Sequence, residues 1–385
     1  MPKHCMKLLS LFVCSFLFNN NSLFSQTSFK FKYRDPKVYA GIEVGSKGIK
    51  MSLVEIGTDA MNNPAFHILK DSAVNTDFIT FTQSAFDATL NGLTGLYKEA
   101  TGLYSVSNDK VFTVISSGVN IQAEKSGNTG LIKNLVDSFR SRINEPSREV
   151  EIVDVLQEAR LSHLGIVPEP KRFNTFLIDI GSGNTKGGYF PDGTSTEKFK
   201  LFQLTWGTKS VANATEKKLA EDKSITNFRN QLYRVLAGSA DDEIIYAINS
   251  SGAYNVNDNI AFSGGIAWSV ATLISPELIE NPVIPVTYQD VENFYNRIYT
   301  EYSSLSGTEI IKSITDPTLE KDIVAKEVEK VNKVFDQRSL LAGTGLLLKI
   351  MRQFEGIYEK KAFYLVKNGQ VGWISAYVNQ RIANH

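Results

Sequence analysis

The 385 residues read as an α/β chain whose two halves repeat one another. Two observations carry that expectation: a glycine-turn hairpin occurs twice, and the order of strand-like and helix-like segments after each copy is the same. The first copy runs Gly41-Ile-Glu-Val-Gly-Ser-Lys-Gly-Ile-Lys-Met-Ser-Leu-Val54, and the second Leu177-Ile-Asp-Ile-Gly-Ser-Gly-Asn-Thr-Lys-Gly-Gly-Tyr-Phe190. Each is an apolar run, a tight glycine turn and a second β-like run, which is a hairpin pattern. Aligned on Gly-Ser, the copies match Glu43 with Asp179, Gly45 with Gly181, Ser46 with Ser182 and Lys50 with Lys186.

In the first half, a short polar linker (26–37) precedes a hairpin over Val38–Ile56 and a third strand over Ala65–Lys70. Phe86, Leu90, Leu93 and Tyr97 mark one face of a helix. Val111–Ile115 reads as a buried strand ending in Ser116-Ser117-Gly118, Gly130–Ile143 as a helix and Val150–Val155 as a strand. A helix then carries Glu158-Ala-Arg-Leu-Ser-His-Leu-Gly165.

The second half repeats the order. Thr175–Ile180 and Gly187–Phe190 form its hairpin, and Lys198–Leu204 its third strand, ending at Trp206-Gly207-Thr208. Helical stretches cover Ser210–Leu219 and Thr226–Leu236. Asn259–Phe262 leads through Ser263-Gly264-Gly265 into an apolar helix to Ile274. Tyr288–Tyr302 and Leu319–Val334 read as amphipathic helices, Ser339–Phe354 as a further helix, and Ala362–Val366 with Val371–Ser375 as a last strand pair. The expected division is a leader over 1–25, the linker, an N-terminal domain over 38–152, and a C-terminal domain over 153–385 with a helical insertion around 280–335. The length accommodates two cores.

Composition narrows the function classes. The chain is 42% hydrophobic and 21% charged with a formal net charge of zero. That balance supplies no strong basic field and argues against a dedicated nucleic-acid binder. Lys3, His4 and Lys7 precede the apolar run Leu8–Phe18 and a polar stretch, the pattern of a secretory signal peptide cleaved near Ser25 or Gln26. The apolar run is too short to span a bilayer, so no integral membrane segment is expected after cleavage. Both cysteines, Cys5 and Cys14, fall in this leader. The mature chain is therefore expected to lack disulfides, cysteine zinc sites and cysteine nucleophiles, and to be exported to a periplasmic or extracellular location. The four histidines are scattered without ligand spacing, and His163 reads as a packing or surface residue.

The twin turns point to anion chemistry. Turn glycines let backbone approach an anion, and successive N–H groups in such turns form anion-binding nests. The acid ending each first strand is placed to hold a divalent cation or a water beside that anion. Two copies suggest a duplicated domain gripping a phosphate chain from both sides.

These motifs resemble the actin/Hsp70/sugar-kinase superfamily and, more specifically, the exopolyphosphatase and guanosine pentaphosphate phosphohydrolase (Ppx/GppA) family. The first hairpin resembles that family's Asp-x-Gly-Ser-Asn-Ser-x-Arg-Leu turn, and Val114-Ile-Ser-Ser-Gly-Val119 its Ala-Thr-x-Ala-Val-Arg segment. Val153–Ile166, with Glu158-Ala-Arg-Leu161, resembles the Glu-Glu-Ala-Arg-Leu helix start and is the most family-specific element. The resemblance covers Val38–Tyr377 and implies two actin-like ATPase (ribonuclease H-like) domains with a cleft between them. It implies that Glu158 orients the attacking water and that Asp179, helped by Glu43, holds Mg2+. Gly45, Ser46, Lys50, Ser116, Gly181, Ser182, Gly183, Asn184, Lys186, Gly207, Gly264 and Gly265 become the phosphate-contacting candidates. Phosphoryl transfer asks for little beyond in-line positioning, a divalent ion and donors on the equatorial oxygens.

The chain departs from the family pattern at four places. Lys186 stands where the family's second turn has a glutamate, Glu43 replaces an aspartate, Lys50 replaces an arginine, and no arginine follows Gly118-Val119. The first expectation is an exported Mg-dependent hydrolase that removes terminal phosphate from polyphosphate. The second is a phosphate- or polyphosphate-binding protein with impaired catalysis, and the third a nucleotide-binding actin-like or kinase-like ATPase. Expected partners are polyphosphate or another phosphorylated small molecule and a second copy of the chain in a homodimer.

Overall fold

The computed structural model describes residues 29–60, 64–356, 359–367 and 369–383. The expected leader with both cysteines, and residues 26–28 of the expected linker, lie outside the described residues. Strands β1 (Arg34–Val44), β2 (Gly48–Thr58), β3 (Pro64–Asn75), β4 (Val111–Ile115) and β5 (Glu151–Ile152) form a first sheet ordered β3-β2-β1-β4-β5. Helices α1 (Gln83–Lys98), α2 (Ser117–Ser126), α3 (Thr129–Ile143) and α4 (Val155–Ile166) follow the strands.

The second sheet uses β6 (Thr175–Ile180), β7 (Thr185–Tyr189), β8 (Lys200–Leu204), β9 (Asn259–Ser263), β10 (Val283–Val286) and β11 (Ala362–Val366). Its order is β8-β7-β6-β9-β11-β10. The first strand of each sheet pairs antiparallel with the second and parallel with the fourth. Both sheets therefore share a 3-2-1-4-5 arrangement, with β11 as the second lobe's fifth strand and β10 added at the edge. The halves are duplicates in topology, as the twin hairpins predict.

Helices fill the second lobe: α5 (Thr208–Glu216), α6 (Ile225–Arg234), α7 (Asp241–Ser251), α8 (Ala253–Val256), α9 (Gly265–Ile274), α10 (Tyr288–Thr300), α11 (Gly307–Ser313), α12 (Lys321–Val334) and α13 (Gln337–Phe354), and the last helix, α14 (Gly369–Ala383), packs on the first sheet. The central strands are apolar on both faces because both faces are covered. In the first lobe, Leu90, Leu93 and Tyr97 of α1 and Leu135 and Phe139 of α3 pack with Ile42, Ile49 and Met51. The opposite face meets Trp373, Ile374 and Tyr377 of α14, which share a core with Tyr39 and Val114.

Several elements differ from the sequence expectation. The strand begins at Arg34, inside the expected linker, because Glu55 captures the backbone N–H groups of Lys32 and Tyr33 at 2.7–3.0 Å while Phe29 packs on the first core. The expected strand Val150–Val155 shrinks to two residues, since Asp154 accepts from the Gln157 N–H at 2.7 Å and starts α4 at once. Val371–Ser375 lies within helix α14 rather than in a strand. That helix returns from the second sheet to the first, while α4 runs from the first sheet to pack on β7. The two helices cross at two glycines: a Cβ on Gly165 would lie 2.0 Å from the Gly372 carbonyl oxygen. Only glycine permits that approach.

Candidate functional site

The matching residues of the twin hairpins occupy matching places in space. Glu43 lies opposite Lys50 across β1 and β2, and Asp179 lies opposite Lys186 across β6 and β7. Each turn is closed by the same backbone bond, Gly45 N–H to the Gly48 carbonyl at 2.9 Å and Gly181 N–H to the Asn184 carbonyl at 3.0 Å.

Each turn is also held from outside. The Thr76 and Asp77 N–H groups, after β3, donate to the Lys47 carbonyl, and the Thr208, Lys209 and Ser210 N–H groups, after β8, donate to the carbonyls of Gly181 and Ser182. Gly207 is required by this clasp, because a Cβ there would lie 2.6 Å from the Asn184 nitrogen and 2.7 Å from the Gly181 oxygen. The N-terminal amides of α5 are thus spent on the turn itself.

The two turns face each other across Ser116-Ser117-Gly118. A Cβ on Gly118 would meet Ser46 Oγ at 3.3 Å from one side and Asn184 Oδ1 at 3.6 Å from the other. Gly183 faces Gln122 of α2. Beside the turns opens a cleft of about 730 Å³, lined from the first lobe by Lys47, Thr76 and Asp77 and from the second by Lys209, Lys333 and Arg338 among others. Lys47 and Lys209 converge there from opposite lobes. Burial first, and then the Lys209 charge, push the Lys47 ammonium below its ordinary range. Lys209 holds Asp77 through both carboxylate oxygens at 2.6 and 2.9 Å, bridging the lobes at the mouth.

The acids lie deeper. Glu158 is 2% exposed; Lys186 Nζ stands 2.7 Å from its Oε1, and the Ser117 N–H donates to its Oε2 at 2.8 Å. Asp179 lies 3.7 Å from the same ammonium and accepts from Ser263 Oγ at 2.9 Å. Burial alone would raise the Glu158 carboxyl, but the Lys186 charge and the Ser117 donor outweigh it and hold it below the usual carboxylate range. The same carboxylates drive the Lys186 ammonium upward against its desolvation. Glu43 goes the other way: burial dominates and raises it, with Lys50 at 4.0 Å and the Trp373 indole N–H at 3.0 Å opposing.

The structure thus brings together the buried Glu43, Glu158 and Lys186 and the partly buried Asp179 in one cluster, and Ser46, Ser116, Gly181, Ser182, Gly183 and Asn184 around the facing turns. Gly264, at φ +93°, lies 2.3 Å (from its added Cβ) to the Ile180 oxygen and 3.0 Å to Asp179 Oδ1, so it belongs to this cluster. Gly265 packs against the Phe335 ring, over which Lys47 Nζ sits at 5.2 Å. Lys50 is turned to Glu43 on β1. Lys47, Asp77, Lys209, the Ser117 amide and Trp373 were not singled out from the sequence. Lys47 stood inside the first turn and was findable there; Trp373 carries no sequence signal that ties it to Glu43.

A divalent cation does not fit this arrangement. Mg2+ takes hard oxygen ligands in a tight octahedron. Here Glu158 has both oxygens engaged, Asp179 has one on Ser263, and a buried ammonium lies within 4.0 Å of two of the carboxylates. Among the described residues no group of three or more His, Cys, Asp or Glu is arranged to hold a metal ion. The expectation that Glu43 and Asp179 hold Mg2+ therefore meets Lys186 in the way, and no reaction step is derived through the metal.

Fold and cleft are those of a two-lobed α/β protein with an actin-like, ribonuclease H-like fold. No protein-family model matches the chain, and no curated protein matches it. Solved structures do match over nearly the whole length. The chain is similar to the Ppx/GppA family member of Aquifex aeolicus, with a TM-score of 0.62, 16% identity and coverage of 91% of this chain and 99% of that one. An exopolyphosphatase from Cytophaga hutchinsonii gives 0.59, 13%, 90% and 98%. At these identities the likeness is one of fold.

Proposed function

We propose that the cleft binds the terminal phosphates of a polyphosphate chain, or of another small molecule with a phosphoanhydride, between the two turns. The observation that carries this is the convergence of Lys47 and Lys209 from opposite lobes on a cleft beside two facing glycine turns. A bound oligo-anion relieves the repulsion between these ammoniums, so affinity is strongly salt-dependent. A purine has no aromatic platform among the described residues lining the cleft, which disfavours the nucleotide-dependent alternative. If the N-terminal leader directs export, polyphosphate is within reach of the protein and guanosine pentaphosphate is not.

Binding without turnover fits the geometry best, because both Glu158 oxygens are engaged, one by Lys186 and the other by the Ser117 N–H. The hydrolase is the second reading, favoured by the fold shared with an exopolyphosphatase. Glu158 is ionised at neutral pH in either case, as a base must be. One experiment separates them: the full chain is incubated with long-chain polyphosphate while binding and phosphate release are both followed, beside Glu158→Gln. Saturable binding with no release is the expected result. Release that vanishes in Glu158→Gln establishes the hydrolase, and absence of binding overturns both.

A further inference from the structure

Two carboxylates, Glu158 and Asp179, face the same buried ammonium, and a third, Glu43, lies close enough to feel the charges of both Glu158 and Lys186. Such a set is the usual preparation for a hard divalent ion. In this chain the set is already served by a cation that cannot leave. Lys186 is 7% exposed, its Nζ stands 2.7 Å from Glu158 and 3.7 Å from Asp179, and its strand pairing fixes it opposite Asp179. An ammonium offers three donors in roughly tetrahedral directions, enough to satisfy two carboxylates without metal.

We infer that Lys186 is a tethered replacement for a divalent cation, so that the native site takes its phosphorylated ligand free of metal, and that removing this ammonium leaves its place between Glu158 and Asp179 open to a divalent cation. The inference rests on the phosphate-cleft reading only for what the site serves, and its test reads metal rather than phosphate. The charge balance supports it. Three carboxylates face two ammoniums, Lys50 and Lys186; without Lys186 the buried cluster carries two uncompensated negative charges. Buried charges of that kind recruit a counter-ion or protonate. The Ser117 amide donates to Glu158 and the Ser263 hydroxyl to Asp179, which holds each carboxylate in place beside Lys186.

The test titrates Mn2+ alone into the full chain and reads free ion by electron paramagnetic resonance. The native protein and Lys186→Arg, which keeps the charge, take up no stoichiometric Mn2+. Lys186→Met, which keeps the length of the stem, binds one ion at least about a hundredfold more tightly than the native chain, because a like charge a few ångströms from the ion is gone. The same ion raises the melting temperature of Lys186→Met, and adding Glu158→Gln removes both effects. Stoichiometric Mn2+ binding by the native chain at micromolar concentration overturns the inference and needs no variant to observe. So does a folded Lys186→Met that takes up no metal. Should that variant fail to fold, Lys186→Gln, which keeps a donor toward Glu158, repeats the comparison with the same two outcomes.

Discussion

The first and second hairpins place an acid and a lysine in identical register, yet the two pairs behave differently. Lys50 is a third exposed along its side chain and stands 4.0 Å from Glu43, while Lys186 is buried and grips a carboxylate at 2.7 Å. The cause is the helix that crosses each hairpin. Over the first, α14 brings Trp373, whose N–H is offered to Glu43. Over the second, α4 brings Glu158, an acceptor offered to Lys186. In one lobe the helix serves the acid; in the other it serves the lysine. Duplication supplied the same strand chemistry twice, and the crossing helices gave each copy a separate task.

Breaking the lysines tests this directly. Lys186→Met leaves Glu158 buried without its partner and is expected to cost about 3–5 kcal/mol in urea unfolding with chelator present. Lys50→Met is expected to cost at most about 1 kcal/mol. Equal losses would erase the distinction between the lobes.

The turns after the fourth strands sharpen the same contrast. In the second lobe Gly264 has φ +93° and no room for a Cβ; in the first, Ser116 holds the corresponding place in ordinary extended backbone with no side-chain cap. Gly264→Ala is expected to cost about 3 kcal/mol. Ser116→Ala should stay within about 1 kcal/mol. Comparable melting temperatures for the two variants would contradict the assignment.

A smaller effect follows from the second buried titratable group on α4. His163 is fully buried, bonded through Nε2 to the Thr175 carbonyl at 2.9 Å and set edge-on against Phe190. Burial drives its pKa down to about 4, below the ordinary 6.5. Protons therefore favour the unfolded chain as pH falls through that window; the stability is present above 6.5 and is lost toward 4. The native chain should lose about 2 kcal/mol between pH 6.5 and 5 from this group. His163→Phe should flatten that slope, and an unchanged slope would remove the histidine from the account.

The sequence made the fold legible because its evidence was repeated: two Gly-Ser hairpins with the same spacing, each followed by strand, helix and strand. The register Glu43–Lys50 and Asp179–Lys186 was readable for the same reason. The partnership of Lys186 with Glu158 was not, since it joins residues 28 positions apart through a helix crossing that no local pattern encodes. The same holds for Trp373, which reaches Glu43 across 330 positions, and for α14, whose apolar residues fit a strand or a helix equally until the first sheet supplies the face they cover. Lys209 and Asp77 meet only because both turns are clasped from their third strands. Local periodicity fixes elements; contacts between lobes need the fold.

The most direct test of the central claim is titration of long-chain polyphosphate into the full chain in excess EDTA, with heat or fluorescence as the signal. A saturable site that persists without divalent ions, and weakens steeply with added salt, is the predicted result. Binding that appears only when a divalent ion is restored would contradict it.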